Sequence, residues 1–116
     1  MVDQSFSVSS RVREGCRVVV VRGELDELTS PLLEAAISDC HTGWPLIVDL
    51  SGVDFISSAG LHALLRERVV AMSIVAPPGN VARLFEIVRA NRRYPLFLNL
   101  DSAVHEATLA PAAASA

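Results

Sequence analysis

Apolar and polar positions along the chain change period several times, and each change predicts a boundary. Residues 5–12 (SFSVSSRV) alternate imperfectly, with Phe6, Val8 and Val12 in step and polar Ser10 interrupting them, which predicts an edge strand. A REG turn follows. Residues 16–25 (CRVVVVRGEL) are β-branched without alternation, which predicts a strand covered on both faces and joined to the first as a hairpin. From residue 28 the period lengthens to that of a helix. Leu32, Leu33, Ala36, Ile37 and Cys40 fall on one stripe of a segment spanning 28–41, with Ser30 as cap and Pro31 as first helical residue. TGWP closes it.

The second half repeats this rhythm. Residues 45–53 (PLIVDLSGV) predict another buried strand. Residues 58–69 predict a short helix with Leu61, Leu64 and Leu65 on one side, and residues 69–77 a strand. Residues 79–93 predict a helix with Val81, Leu84, Phe85 and Val88 inward. A short strand over 95–100 and a helix over 101–110, capped by Asp101 or Ser102, complete the chain. Residues 111–116 (PAAASA) have nothing to bury and are expected to be disordered. The order ββαβαβαβα predicts one α/β domain: a mostly parallel sheet of four to five strands, an N-terminal hairpin and about four helices. Periodicity leaves open whether the helices cover one face of the sheet or both.

Composition narrows the function classes. The 116 residues fit one domain, and 51% are apolar, too many for a disordered chain. No apolar run approaches the ~20 residues of a membrane span, and MVDQSFSVSS lacks the pattern of a signal peptide, so a cytoplasmic location is expected. The net charge of −3 argues against a nucleic-acid partner. Every basic residue is arginine. Cys16 and Cys40 stand far apart and are expected to be reduced and structural. His41, His62 and His105 form no ligand spacing beyond the adjacent Cys40-His41, whose side chains diverge, so no metal site is expected. RANRR reads as a basic helix end facing the helix dipole, Trp44 as a turn residue on the core rim and Phe85 as core.

Chemistry is expected at the carboxyl ends of the strands. Two segments lie there: RGELDELTSP after the second strand and DLSGVDFISSAG after the third. Ser57 suits the N-cap of the following helix. Ser58 then becomes the first helical residue, pointing outward beside unpaired amides and the positive end of the helix dipole, with small Ala59 and Gly60 leaving its approach open. A phosphate there, carrying about −1.5 to −2 charges, is tolerated by the fold. Periodicity alone favours two serines that merely start a helix. Catalysis lacks support: no G-x-S-x-G or phosphate-loop motif occurs, and His62, one turn past Ser58, reads as an exposed helix residue. Asp26, Asp49 and Asp54 can be imagined as a metal cluster, but Asp49 reads better as ending a strand and anchoring the next loop.

The segments VRGELDELTSPLLEAAI and VDLSGVDFISSAGLHALL resemble the STAS domain family, and within it the bacterial anti-sigma factor antagonists. Gly23, Leu25 and Asp26 match a G-x-[LVI]-D segment. Asp49, Leu50, Ser51, Val53, Phe55, Ile56, Ser58, Gly60 and Leu61 match D-L-S-x-V-x-[FY]-[IM]-D-S-x-G-L. The likeness spans roughly residues 5–109 and implies a STAS domain over 1–110. It implies no enzyme and no cofactor but a switch. The unmodified protein binds an anti-sigma factor serine kinase and frees the sigma factor. Phosphorylation of the serine before x-G-L ejects it, and a phosphatase resets it. That serine is Ser58, with Ser57 a rival acceptor. The implied partner-binding residues are Asp26, Leu28, Ser57, Ser58, Ala59, Gly60 and His62, with Leu32 adding apolar contact. No membrane or direct nucleic-acid contact is implied. Two departures stand out: Ser57 replaces the usual acid, and the link from the second helix to the next strand is short. Both fit the alternative role of a STAS scaffold or adaptor subunit in a signalling or transporter assembly without a phosphoswitch.

Overall fold

The computed structural model describes residues 6–40, 43–66 and 72–109. Residues 110–116, including the expected tail, and His41 lie outside them. β1 (Ser7–Arg13) and β2 (Cys16–Leu25) form an antiparallel hairpin in which Arg13 faces Cys16. The turn residues Glu14 and Gly15 have φ of 50° and 82°. Two positive φ values match the turn's twist to that of the strands. Three parallel strands follow in spatial sequence: β3 (Leu46–Ile56), β4 (Met72–Val75) and the two-residue β5 (Leu96–Phe97), giving the order β1-β2-β3-β4-β5.

That order settles the layering. Each parallel crossover moves the chain one place in the same direction, and right-handed crossovers made in one direction put their helices on one side. So α1 (Ser30–Ser38), α2 (Ser58–Leu65) and α3 (Asn80–Ile87) share a face. Leu33 and Ile37, Leu61 and Leu64, and Val81 and Phe85 meet Val19, Val21, Val48, Leu50 and Ile74 there. Among the described helices only α4 (Leu100–Leu109) reaches the other face, where Ala103 and Val104 cover Cys16, Val18, Ile47 and Val75. Cys16 and Cys40 are therefore buried in separate clusters.

Several elements differ from the sequence expectation. β3 continues three residues past Val53 because it absorbs two irregularities. Val20 pairs with Asp49 but Arg22 with Gly52, and Gly23 pairs with Val53 but Glu24 with Phe55. Each extra residue flips the side-chain alternation, which is how Leu50, Val53 and Ile56 all reach the same core. Asp49 therefore does not end a strand. Its Oδ1 accepts from the Ser51 amide (2.9 Å) and hydroxyl (2.6 Å), pinning the first irregularity. Thr29, not Ser30, occupies the N-cap of α1, and Ser30 is buried in its first turn with Pro31. α3 stops at Ile87. Val88, expected inward, is exposed, and Arg89 turns left-handed (φ 59°) ahead of a 3-10 turn over Ala90–Arg92. Asn99, rather than Asp101 or Ser102, caps α4 through the Ser102 amide (2.8 Å).

Candidate functional site

The carboxyl ends of β2 and β3 are stitched together at the entrance to α2. The Ser57 amide donates to the Leu25 carbonyl at 2.9 Å, so Asp26 and Ser58, the next residue on each side, emerge at the same end of the sheet. Ser57 is extended (φ −80°, ψ 170°), and its Oγ accepts from the Gly60 amide at 3.1 Å, the geometry of an N-cap. The division of labour expected from sequence is present: Ser57 is half-buried and occupied with the cap, while Ser58 and Ala59 are exposed in the first turn. His62 is exposed four residues on, one turn along the same helix face.

Gly60 plays a different part from the one expected. It is buried and forms no part of the outer surface. A Cβ there would lie 2.8 Å from the Leu25 carbonyl carbon. The absent side chain is what lets α2 sit directly on the end of β2.

Asp26 also proves more structural than expected. Its Oδ1 accepts from the amides of Leu28 (2.9 Å) and Thr29 (3.0 Å) and stands 3.1 Å from the Thr29 hydroxyl. Thr29 Oγ1 accepts in turn from the Asp26 amide (2.9 Å) and lies 2.8 Å from the Glu24 carbonyl, to which it donates. The Asp26 carbonyl accepts from the Ser30 amide. The Thr29 amide, and secondarily that of Leu28, stabilises the charged form and lowers the Asp26 pKa below its ordinary value. Thr29 was not among the residues singled out from sequence. Its signal is the D-x-x-T spacing of an Asx turn closed by a hydroxyl.

This closed turn holds Leu28 out into solvent, 82% exposed, with Leu32 one helical turn further at 57%. Phe55, paired with Glu24 at the end of β3, is half exposed as well. The acids Glu24, Glu27 and Asp54 are exposed in the same segments. The sheet order never reverses, so the topology lacks the switch-point crevice where open α/β sheets take small ligands. What the end of the sheet offers is a surface: exposed apolar side chains, three exposed acids and one outward hydroxyl. Among the described residues no three His, Cys, Asp or Glu side chains are grouped to hold a metal ion, and no helix is long and apolar enough to cross a membrane.

Residues 7–103 match the STAS domain family. The chain belongs to that family. Over 107 residues this STAS domain is 30% identical to the anti-sigma-F factor antagonist RsfB of Mycobacterium tuberculosis, covering 86% of this chain and 88% of RsfB. It superposes with a TM-score of 0.80 on an anti-sigma factor antagonist from Mycobacterium paratuberculosis, at 30% identity over 90% of this chain and 95% of that one. The unphosphorylated form of the anti-sigma factor antagonist SpoIIAA shares the fold, with a TM-score of 0.65 at 19% identity over 88% of this chain and 95% of that one.

Proposed function

We infer that this STAS protein is a cytoplasmic anti-sigma factor antagonist. Its docking surface is the end of the sheet carrying Asp26, Leu28, Leu32, Ser57, Ser58, Ala59 and His62, and phosphorylation of Ser58 is its off switch. The partner is an anti-sigma factor serine kinase, and a phosphatase restores the unmodified form. The observation that carries this reading is the separation of roles at the helix start: Ser57 makes the cap, so the exposed Ser58 hydroxyl is not needed to hold α2. Two relatives at 30% identity, both named anti-sigma factor antagonists, support the same reading.

The switch follows from charge. The kinase moves the γ-phosphoryl group of ATP to Ser58 Oγ, the hydroxyl proton leaves, and ADP departs. Water cleaves the ester in the reverse branch. The new group brings about −1.5 to −2 charges to a surface already edged by Glu24, Glu27 and Asp54. A 100-fold loss of affinity requires about 2.8 kcal/mol. Covering an uncompensated dianion with a partner costs several kcal/mol in desolvation alone. The modification is therefore sufficient by itself.

The test is incubation with the anti-sigma factor kinases of the same genome and ATP, followed by mapping of phosphoserine and by titration of variants. Phosphate is expected on Ser58 and not Ser57. Ser58→Asp is expected to weaken the complex about 100-fold, and Ser58→Ala to bind normally and resist release by ATP. A Ser58→Asp protein that binds the kinase as tightly as the wild type would overturn the switch. A tight complex that never acquires phosphate would point to the adaptor role.

A further inference from the structure

At the opposite end of the sheet, the corner following α3 concentrates positive charge on an acidic protein. Arg83, Arg89, Arg92 and Arg93 are four of the chain's ten basic residues, against a net charge of −3. All four are exposed, and Glu86 is the sole acid between them. No ion pair among the described residues engages Arg83, Arg89 or Arg92. Beside them Ile87 is 68% and Val88 44% exposed. Single exposed apolar residues are ordinary. Two adjacent exposed aliphatic side chains in the same segment as Arg83, Arg89 and Arg92 are a different surface. Arg83 and Ile87, four apart on α3, share one helix face.

The corner is also held in place. Ala90 and Tyr94 are buried, and the Tyr94 and Arg93 amides both donate to the Ala90 carbonyl. The Arg93 guanidinium lies 5.4 Å from the centre of the Tyr94 ring, and its Nε is 3.1 Å from the Tyr94 hydroxyl. Arg89, in the left-handed region, turns the chain sharply after Ile87 and Val88. A presentation fixed this way loses little entropy when a partner binds.

We propose that this corner is a second protein-docking surface, which takes an acidic peptide segment bearing one or two aliphatic side chains. The guanidinium groups pair with Asp or Glu carboxylates, bidentately where geometry allows, and Ile87 and Val88 receive the aliphatic residue. A nucleic acid fits less well. Residues 83–93 carry no exposed aromatic ring for a base to stack on, and the net charge of −3 repels a polyanion. A membrane surface fits less well too, because the rest of the apolar side of α3, Val81, Ala82 and Phe85, is already buried in the core. The two surfaces occupy opposite ends of the strands, so one protein can engage the kinase and a second acidic segment together. The proposal does not rest on the Ser58 switch.

The experiment titrates the full chain with a fluorescein-labelled peptide of alternating Glu and Leu, read by anisotropy and by backbone amide shifts. A Lys/Leu peptide, a short DNA duplex and phosphatidylglycerol vesicles serve as competing probes. Saturable binding of the Glu/Leu peptide is expected, with shifts centred on residues 83–93 and weakening about tenfold as salt rises from 0.05 to 0.5 M, since exposed pairs are screened. The double variant Arg89→Glu/Arg92→Glu is expected to lose at least tenfold in affinity, with circular dichroism unchanged. Ser58→Asp is expected to bind the peptide as the wild type does. Shifts at Leu28 and Ser58 instead of the corner, undiminished binding by the double variant, or stronger binding to the duplex, the vesicles or the Lys/Leu peptide would each overturn the proposal.

Discussion

At the scale of single residues, the site depends on what Ser57 and Gly60 do so that Ser58 need do nothing. Ser57 closes the helix with its hydroxyl, and Gly60 removes the one side chain that would keep α2 off β2. Gly60→Ala forces a methyl group against the Leu25 carbonyl, where backbone, not a flexible side chain, must yield. Overpacking of this kind costs about 1–3 kcal/mol, and the loss is expected in the urea midpoint of the variant. The kinase complex should weaken with it, because the first turn carrying Ser58 is displaced. Ser57 was legible in sequence from its capping chemistry and Ser58 from the family pattern, although that pattern has an acid where Ser57 stands. The burial of Gly60 was not. A glycine three residues into a helix reads locally as open space, and only the approach of β2, distant in sequence, shows that it is a contact. Asp26 was found through the G-x-[LVI]-D family segment, but its work of holding the turn through Oδ1 emerges only with Thr29 folded back onto it.

At the scale of elements, the sequence period was a good guide wherever it stayed constant. β2 begins and ends where the β-branched run does. It misled where the period changes inside one element. β3 has a residue added at Asp49–Ser51 and again near Asp54, so its alternation breaks twice and the strand reads as ending at Val53. The shortness of α1 has a similar origin. Asp26 and Thr29 close a turn of their own ahead of it, which puts the cap at Thr29, one residue before the predicted Ser30, and at its other end the helix stops at Ser38, short of the stripe's last member Cys40. The β1–β2 turn carries a removable cost. Glu14 sits at φ 50°, and its exposed side chain makes an ion pair with Arg13 (3.6 Å) of the kind that contributes little. Asparagine tolerates that φ better. Glu14→Asn is expected to raise stability by a few tenths to about 1 kcal/mol, seen as a higher thermal midpoint with the kinase affinity unchanged.

For the whole molecule, strand order decided the outcome that alternation of strands and helices left open. Progress in one direction across the sheet puts three helices on one face and leaves the other to α4, which Arg13 ties to the hairpin through Asp101. Acid stability tests the opposite end. The amides of Thr29 and Leu28 hold the Asp26 pKa below its unfolded value of about 3.9. A carboxylate depressed in the folded state stabilises fully above that unfolded value, and its contribution fades as pH falls through the folded one. Asp26→Asn keeps an acceptor oxygen but removes the charge. It is expected to lower the urea midpoint at pH 7 and to differ less from the wild type at pH 3. An equal difference at both pH values would mean that the turn is held by shape and not by charge. The seating of α2 on the Leu25 carbonyl also determines what kind of messenger this protein can be. A helix with no slack beneath it has nowhere to recoil, so a mark written on its first turn stays where it is written. With the proposed phosphate on Ser58, the domain would be a card with a stamp on one edge, and any reader must come to that edge to tell a stamped copy from a blank one.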